Sequence, residues 1–470
     1  MSNHERHFLH KLFYPESVAV VGAARKPGTL NFALLSNMVQ LKFSGRLYPV
    51  NPGAEEIMGL KAYPDLTSIE GDVDLAVVAV PAAKVLDIVR DCVAKKVKCV
   101  ALVPGGFSEI GEPGKGVQDE MLHLLREHGI RAIGPNALSP INSRNRLIIS
   151  FHSVQKLSEG SLSFIFQSGL YEPRLNWLLS DFNLYISKLI DLGNKMDITE
   201  VDALEYLAQD PETKVIAIHL ESIAGDARKF IKLLKDTARE KPVIVLKSGR
   251  TPEGARAASS HTGAIIKSSD TVVDAVLKQA GVIRVQALDE FFDLAKVFEY
   301  QAPMKNNRIA IASGSGGEGV IATDLCRLNG LTIARLSSET QQKLRSIYPP
   351  WDIPANPLDI GVCGQFNWGV DVDSIYLETL ASDPNVDCLT MAVQKPDFLR
   401  IDPDKFVRPF CQAVENGKRV AVWAPDPVMV KELVDRLELN RIPVFTSAER
   451  AIKALAALYQ YQTRRGTIDE

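Results

Sequence analysis

His261 stands in Ala257-Ala258-Ser259-Ser260-His261-Thr262-Gly263-Ala264, a run of small and hydroxyl residues with few bulky neighbours. Imidazole is one of the few side chains that can carry a phosphoryl group covalently, and this setting leaves it open to a large reactive group. Glu221 ends the apolar run Val215 to Leu220. A carboxylate there could hold an imidazole by one nitrogen, leave the other as nucleophile and stabilise the charge that develops. A solvated strand-end glutamate is the plainer reading of the same residue. His219, two residues earlier within the strand, reads as a packed or surface histidine.

Three loops could hold phosphate. Gln167, Ser168 and Gly169 follow an apolar strand and open a helix expected to run through Trp177, offering a hydroxyl, an amide and bare N–H groups at a positive dipole end. Gly314, Ser315, Gly316, Gly317 and Gly319 repeat the arrangement later in the chain. Gly22, Ala23, Ala24 and Lys26 lie in a third loop, which reaches Gly28 and carries basic residues. A tight turn explains any one Gly/Ser loop; two strand–loop–helix openings in consecutive domains favour anion binding. Asn194-Lys195 could contact anions or form a turn, while Asp197, Glu200 and Asp202 read as a helix cap and a solvated helix face.

These residues need strand ends to carry them. Near-continuous apolar runs alternate with amphipathic stretches: Val18–Val21, Leu47–Val50, Leu75–Val80, Cys99–Leu102 and Arg131–Ile133 come first. A second series holds 162–166, 185–192, 215–220, 243–246 and 282–285, and a third holds 308–312, 331–334, 388–393, 419–423 and 443–445. The pattern predicts α/β architecture with three doubly wound parallel-sheet domains, over 1–143, 144–301 and 302–470, separated by polar stretches at 142–146 and 301–307. In such sheets ligands bind beyond the carboxyl ends of the strands.

The chain of 470 residues has 46% hydrophobic and 24% charged residues and a net charge of −3, so nothing global favours nucleic acid or an anionic membrane surface. Its six cysteines show neither CxxC pairs nor metal-ligand spacing, and no apolar run is long enough for a membrane span; reduced thiols and the cytoplasm are expected, with no metal site. GxGxxG is absent, and the second strand ends in Asn51-Pro52 where a dinucleotide site would place an acid for the ribose. That disfavours hydride transfer and leaves a nucleotide such as coenzyme A compatible.

Leu192-Gly193-Asn194-Lys195 followed by Asp202-Ala203-Leu204-Glu205-Tyr206-Leu207, the strand end Leu220-Glu221 and Ser260-His261-Thr262-Gly263 together resemble the α subunit of ADP-forming acyl-CoA synthetases, in the succinyl-CoA synthetase superfamily, from Ser17 to about Arg450. The resemblance implies a Rossmann-like CoA-binding domain followed by two flavodoxin-like ligase domains. It implies that His261 is phosphorylated in turnover and supported by Glu221. Phosphate would dock at Gln167-Ser168-Gly169 and again at Gly314–Gly319, and CoA would lie on Gly22–Gly28, Asn51-Pro52, Val80-Pro81 and Gly105-Gly106.

Such a relay requires the histidine to travel, so a swinging loop is expected around it, helped by the small residues 254–260. No ATP-grasp domain is recognisable in the chain, so ADP and Mg²⁺ are expected on a separate β subunit. Some positions depart from the family: Ala137-Leu138-Ser139 replaces Cys-Leu-Gly, a basic residue near Gly53-Ala54 is missing, and Leu170-Tyr171-Glu172-Pro173 is bulkier than usual. Leu170 and Tyr171 are therefore candidate acyl-pocket residues, with helix packing as their other reading. A non-catalytic CoA-binding regulator of the same fold is the alternative, against which His261 and Glu221 weigh.

Overall fold

The computed structural model describes residues 7–262, 269–351, 356–367, 370–394 and 402–469. The chain divides into two compact units, Met1–Phe291 and Phe292–Glu470. The first unit contains two large sheets and a small two-stranded one, and the second is built on one main sheet with a separate two-stranded pair.

In the first sheet, β1 (Ser17–Val21), β2 (Arg46–Val50), β3 (Leu75–Val78), β4 (Cys99–Leu102) and β5 (Arg131–Ile133) lie in the order β2-β1-β3-β4-β5, all parallel. β1, β3 and β4 are buried at every position, as strands covered on both faces must be. Helices such as α1 (Phe32–Gln40), α2 (Ala82–Lys95) and α3 (Glu112–Glu127) make the crossovers.

The second sheet runs β12-β11-β10-β8-β9-β6-β7, with β6 at Ile141–Asn142, β7 at Leu147–Ile148, β8 at Glu159–Phe166, β9 at Ile186–Asp191, β10 at Val215–Leu220, β11 at Val243–Lys247 and β12 at Ile283–Val285. The polar stretch 142–146, expected to separate two domains, is instead the turn of the β6–β7 hairpin. That hairpin extends the second sheet antiparallel to β9. Asn142 and Asn145 belong to the interior, both donating to the Phe13 carbonyl at 2.9 Å, which is why their polarity misled.

The second unit is centred on β13 (Arg308–Ser313), flanked by β14 (Thr332–Ile333) and β16 (Cys388–Met391), with β15 (Leu358–Asp359) pairing its end. The expected strand 419–423 divides. β17 (Arg419–Val420) pairs β16, whereas β18 (Val422–Trp423) pairs β19 (Val444–Phe445). No helix among the described residues is long and apolar enough to cross a membrane.

Candidate active site

The second sheet brings three strand ends together. Phe166 of β8 is in register with Asp191 of β9 and with His219 of β10, so Gln167, the Asp191–Gly193 turn and Glu221 leave one sheet edge side by side. Gln167 ties them. Its Oε1 accepts the N–H groups of Glu221 and Ser222, both at 2.8 Å, and its Nε2 donates to Ser222 Oγ at 2.9 Å. The amide read as a phosphate ligand thus sets the position of Glu221, which is 8% exposed at the end of β10. Removing it in Gln167→Ala leaves two N–H donors without their acceptor, so we expect a loss of about 2 kcal/mol in urea unfolding, with Gln167→Glu, which keeps an acceptor, losing less.

Lys195 is buried and donates to the Ser222 carbonyl at 2.7 Å while pairing Glu200 Oε2 at 2.9 Å. Burial lowers the pKa of its ammonium, against the pull of Glu200. Glu200 Oε1 accepts from Ala224 and Gly225 N–H at 2.8 and 2.9 Å. Lys195 therefore fixes the loop after Glu221. Glu200, expected on a solvated helix face, is wholly buried at the start of α4 (Glu200–Gln209). Asp197 is also interior, accepting from Arg126 and Arg131 at 3.1 and 2.7 Å and joining the two sheets. Asp202 does cap α4, through the Thr199 N–H at 2.9 Å.

His219 is 1% exposed and bonds Ser248 Oγ through Nε2 at 2.8 Å. Burial pushes its pKa down to about 4, helped by Lys247 and Lys195, so it is a neutral packing residue. The unfolded chain takes up this proton near pH 6.5 and the folded chain only near pH 4. Stability from His219 is therefore complete above pH 6.5 and lost as pH falls towards 4, by about 3 kcal/mol. Melting temperatures measured from pH 7 to 4 should fall less steeply in His219→Gln than in the parent.

A cavity of about 240 Å³ opens at this edge, lined by Val103, Asn136, Leu138 and Phe151 together with Gln167, Ser168, Gly169, Asp191, Gly193 and Asn194. The helix expected from Gln167 to Trp177 is interrupted. Gly169–Arg174 is a 3₁₀ turn and the α-helix covers only Leu175–Ser180, because Pro173 supplies no N–H and its ring obstructs the preceding turn. Leu170 is half-buried, and neither it nor Tyr171 is among the lining residues. Tyr171 is packed instead, its ring 4.7 Å from Phe166 and its hydroxyl bonded to the Leu138 carbonyl. Leu138 and Phe151 form the apolar wall expected of that pair.

Two carboxylates here escaped the sequence reading. Asp191 is 1% exposed and accepts from Leu138 N–H at 3.0 Å and Gly193 N–H at 3.2 Å; burial pushes it up to about 6 against those donors, and Glu221 adds to the rise. Glu172 is buried beside it, its Oε2 accepting from Ser150 Oγ at 2.9 Å while Oε1 has no hydrogen-bond partner among the described residues. Burial pushes Glu172 up to about 7.

His261 lies near the end of α6 (Pro252–Thr262); its side chain, like that of Ser260, is outside the described residues. The backbone 254–260, expected as a loop, is helical. Thr251 starts that helix, its Oγ1 accepting from Gly254 N–H at 3.0 Å, and the alanines that follow suit a helix as well as a flexible run. α6 packs against the 3₁₀ turn Ser108–Ile110 of the first sheet. The flanks of the segment are joined by Arg250 and Asp270, whose side chains meet at 3.3 Å.

The expected CoA residues lie at the carboxyl edge of the first sheet. Gly22 follows β1 with φ of 89°, and a Cβ there would stand 2.4 Å from the Ala79 carbonyl oxygen. Asn51 Nδ2 donates to the Ala23 carbonyl at 2.8 Å, joining two of the loops. Ala24 is half-buried and Lys26 exposed, as are Pro52 and Pro81, while Val80 is half-buried. Gly105 and Gly106 are governed by a residue the sequence reading missed: Glu109 accepts from Gly106 N–H at 2.6 Å and from Asn194 Nδ2 at 2.6 Å. Burial opposes its charge, but these donors outweigh it and hold the carboxyl below its usual range. The small, exposed loop with Arg25 and Lys26, and the cradle at Gly22, fit a phosphorylated nucleotide.

In the second unit, Gly314 and Ser315 join β13 to α7 (Gly316–Leu328), a strand–loop–helix opening as expected. Ser315 Oγ caps the helix by accepting from Glu318 N–H at 3.4 Å, and Gly319 lets it pass Ser313. The Gly314 N–H, read as a phosphate donor, is already taken by Glu318 Oε2 at 3.2 Å, and Trp423 Nε1 holds the other oxygen at 2.8 Å. Gly316 and Gly317 follow at the helix start.

The chain matches three family models in succession: a CoA binding domain over 16–141, a succinyl-CoA ligase like flavodoxin domain over 159–298 and a Ligase-CoA domain over 309–468. It is 35% identical over 458 residues to the acetate–CoA ligase (ADP-forming) II subunit alpha of Pyrococcus furiosus, covering 96% of this chain and 97% of that one. It is also 35% identical over 466 residues to acetate–CoA ligase (ADP-forming) II of Archaeoglobus fulgidus, covering 97% of this chain and 67% of that longer protein. Among solved structures, the dinucleotide-forming acetyl-coenzyme A synthetase 1 of Ca. Korarchaeum cryptofilum, in complex with phosphate and ADP, superposes with a TM-score of 0.85 at 33% identity, over 98% of each chain.

Proposed function

Because the chain belongs to the family of ADP-forming acetate–CoA ligase α subunits, we propose that it is the CoA-binding, phosphohistidine-carrying half of an acid–thiol ligase. The overall reaction is acyl-CoA, ADP and phosphate to carboxylic acid, CoA and ATP. The observation that carries this reading is the meeting of Gln167, Ser168 and Gly169 at a cavity on the sheet edge where Gln167 also holds the backbone of Glu221.

In the forward chemistry a phosphate oxygen attacks the thioester carbonyl, the C–S bond breaks and CoA leaves as the thiol after gaining a proton. The acyl phosphate then meets His261. An imidazole nitrogen attacks phosphorus, the bond from phosphorus to the acyl oxygen breaks, and the carboxylate leaves. Glu221 would hold the other ring nitrogen and balance the charge that develops, in a position set by Gln167 and Lys195. Phosphoryl transfer from His261 to ADP completes ATP and restores the imidazole.

We assign CoA to Gly22–Lys26, Asn51-Pro52, Val80-Pro81 and Gly105-Gly106, and a second phosphate-docking role to the helix opening within Gly314–Gly319, where Glu318 occupies the Gly314 N–H and Gly316 and Gly317 would serve instead. We propose domains close to the limits read from the sequence, 1–143, 144–301 and 302–470, with the first limit moved back so that the β6–β7 hairpin stays whole in the second. Among the described residues no group of three His, Cys, Asp or Glu is arranged to hold a metal ion. We place Mg²⁺, with ADP, on an ATP-grasp β subunit, where it would neutralise nucleotide phosphate charge, and the complex in the cytoplasm.

The test is an assay of the purified chain with a candidate β subunit, following ADP released from ATP in the presence of CoA and a series of carboxylic acids. ADP formation requiring CoA, an acid and both chains is expected. AMP in place of ADP would overturn the ligase assignment, and ATP synthesis by the chain alone would overturn the need for a partner.

A further inference from the structure

The 240 Å³ cavity has an unusual charge for a place where anions react. Its ten lining residues include no lysine, arginine or histidine, and Asp191 is its one ionisable group. The apolar wall of Val103, Leu138 and Phe151 suits a short carbon chain, and the amides of Asn136, Gln167 and Asn194 give it a polar side. A carboxylate has about four lone-pair sites. Among the described residues Asp191 accepts two hydrogen bonds, one backbone N–H to each oxygen, so it can accept more from a ligand.

We infer that Asp191 selects the acyl group, admitting chains that carry a hydroxyl or ammonium donor beyond the reacting carbonyl and rejecting dicarboxylic chains. This rests on the ligase reading above. A dicarboxylic chain would bring a second negative charge into a low-dielectric cavity with no cation among its described lining residues to pair it, whereas a donor would satisfy an oxygen already stripped of water.

Glu172 lies close behind this wall. It is 4% exposed, and its Cγ lies 4.0 Å from where a Gly169 Cβ would stand, so it sits just behind the cavity wall. Burial, and after it the Asp191 charge, raise the Glu172 pKa, while Asp191, at about 6, is mainly ionised at neutral pH.

The experiment compares four acids of one length: propanoate, 3-hydroxypropanoate, 3-aminopropanoate and malonate. Each is assayed for kcat/KM in CoA-dependent ADP formation by the chain with its β subunit. At least one donor-bearing acid should exceed propanoate by about tenfold or more, with malonate below propanoate. The better of the hydroxyl and ammonium acids identifies the donor. In Asp191→Asn, which keeps the shape and removes the charge, the ratio of malonate to propanoate should rise about tenfold.

These are ratios within one protein, so a general loss of activity in the variant cancels. Propanoate equal to or better than both donor acids overturns the inference, whether or not the variant folds, and so does an unchanged malonate ratio. An enzyme active on all four acids without this ranking defeats the inference alone. Absence of CoA-dependent ADP formation with every acid, together with no phosphohistidine at His261, defeats the ligase reading itself.

Discussion

Replacing His261 with asparagine should abolish turnover, lowering kcat by about 10⁴-fold or more while leaving CoA binding intact. Asparagine fills similar space and can hydrogen-bond, but its amide nitrogen has no lone pair able to attack phosphorus. Loss of a covalent carrier removes the whole route, so the effect should match the largest single-residue losses known for nucleophiles. The check is paired: steady-state ADP formation with the β subunit, and CoA binding by calorimetry. Equal loss in both would point to misfolding, and retained turnover would show that phosphate passes without the histidine.

Gly193→Ala should produce a large loss of stability, about 3 kcal/mol or more in the unfolding of the first unit. Gly193 has φ of 54°, and a Cβ there would stand 2.2 Å from the Pro135 carbonyl oxygen and 2.6 Å from that of Asn136. Both obstacles are backbone, so neither can rotate away. The turn also donates Asn194 N–H to the Pro135 carbonyl at 2.9 Å, so a shift would separate the loops that frame the cavity. Gly129 makes the control: its φ is 69° but nothing lies within 4 Å of its Cβ position, and Gly129→Ala should cost only about 1 kcal/mol. Urea midpoints of the two variants give the comparison.

Much of the architecture was readable because strands buried on both faces must be continuously apolar; β1, β3, β4 and β10 are buried along their whole length. Glu221 was found by the same logic, as the first charge after such a run. What escaped the reading depends on partners far along the chain. Asn142 and Asn145 look like linker residues until the Phe13 carbonyl is placed beside them. Glu200 looks solvated until Lys195 and the Ala224 and Gly225 N–H groups surround it.

Near the cavity the misreadings have local causes too. Pro173 was visible in the sequence as a helix breaker, and its weight against the expected helix could have been judged there. Asp191 was the last residue of an apolar strand, the same signal that singled out Glu221. Glu109, by contrast, is one acid in a polar loop, and only the Gly106 and Asn194 donors give it a role.

The central claim, that this chain carries phosphate on His261 between acyl phosphate and nucleotide, is tested most directly by labelling. The full chain is incubated with its β subunit, an acyl-CoA and ³²P-phosphate, without ADP. The label should enter this chain, resist base, be released by acid, map to the peptide bearing His261 and be absent from His261→Asn. Label of the same stability persisting in His261→Asn, or parent protein that turns over without ever becoming labelled, would contradict it.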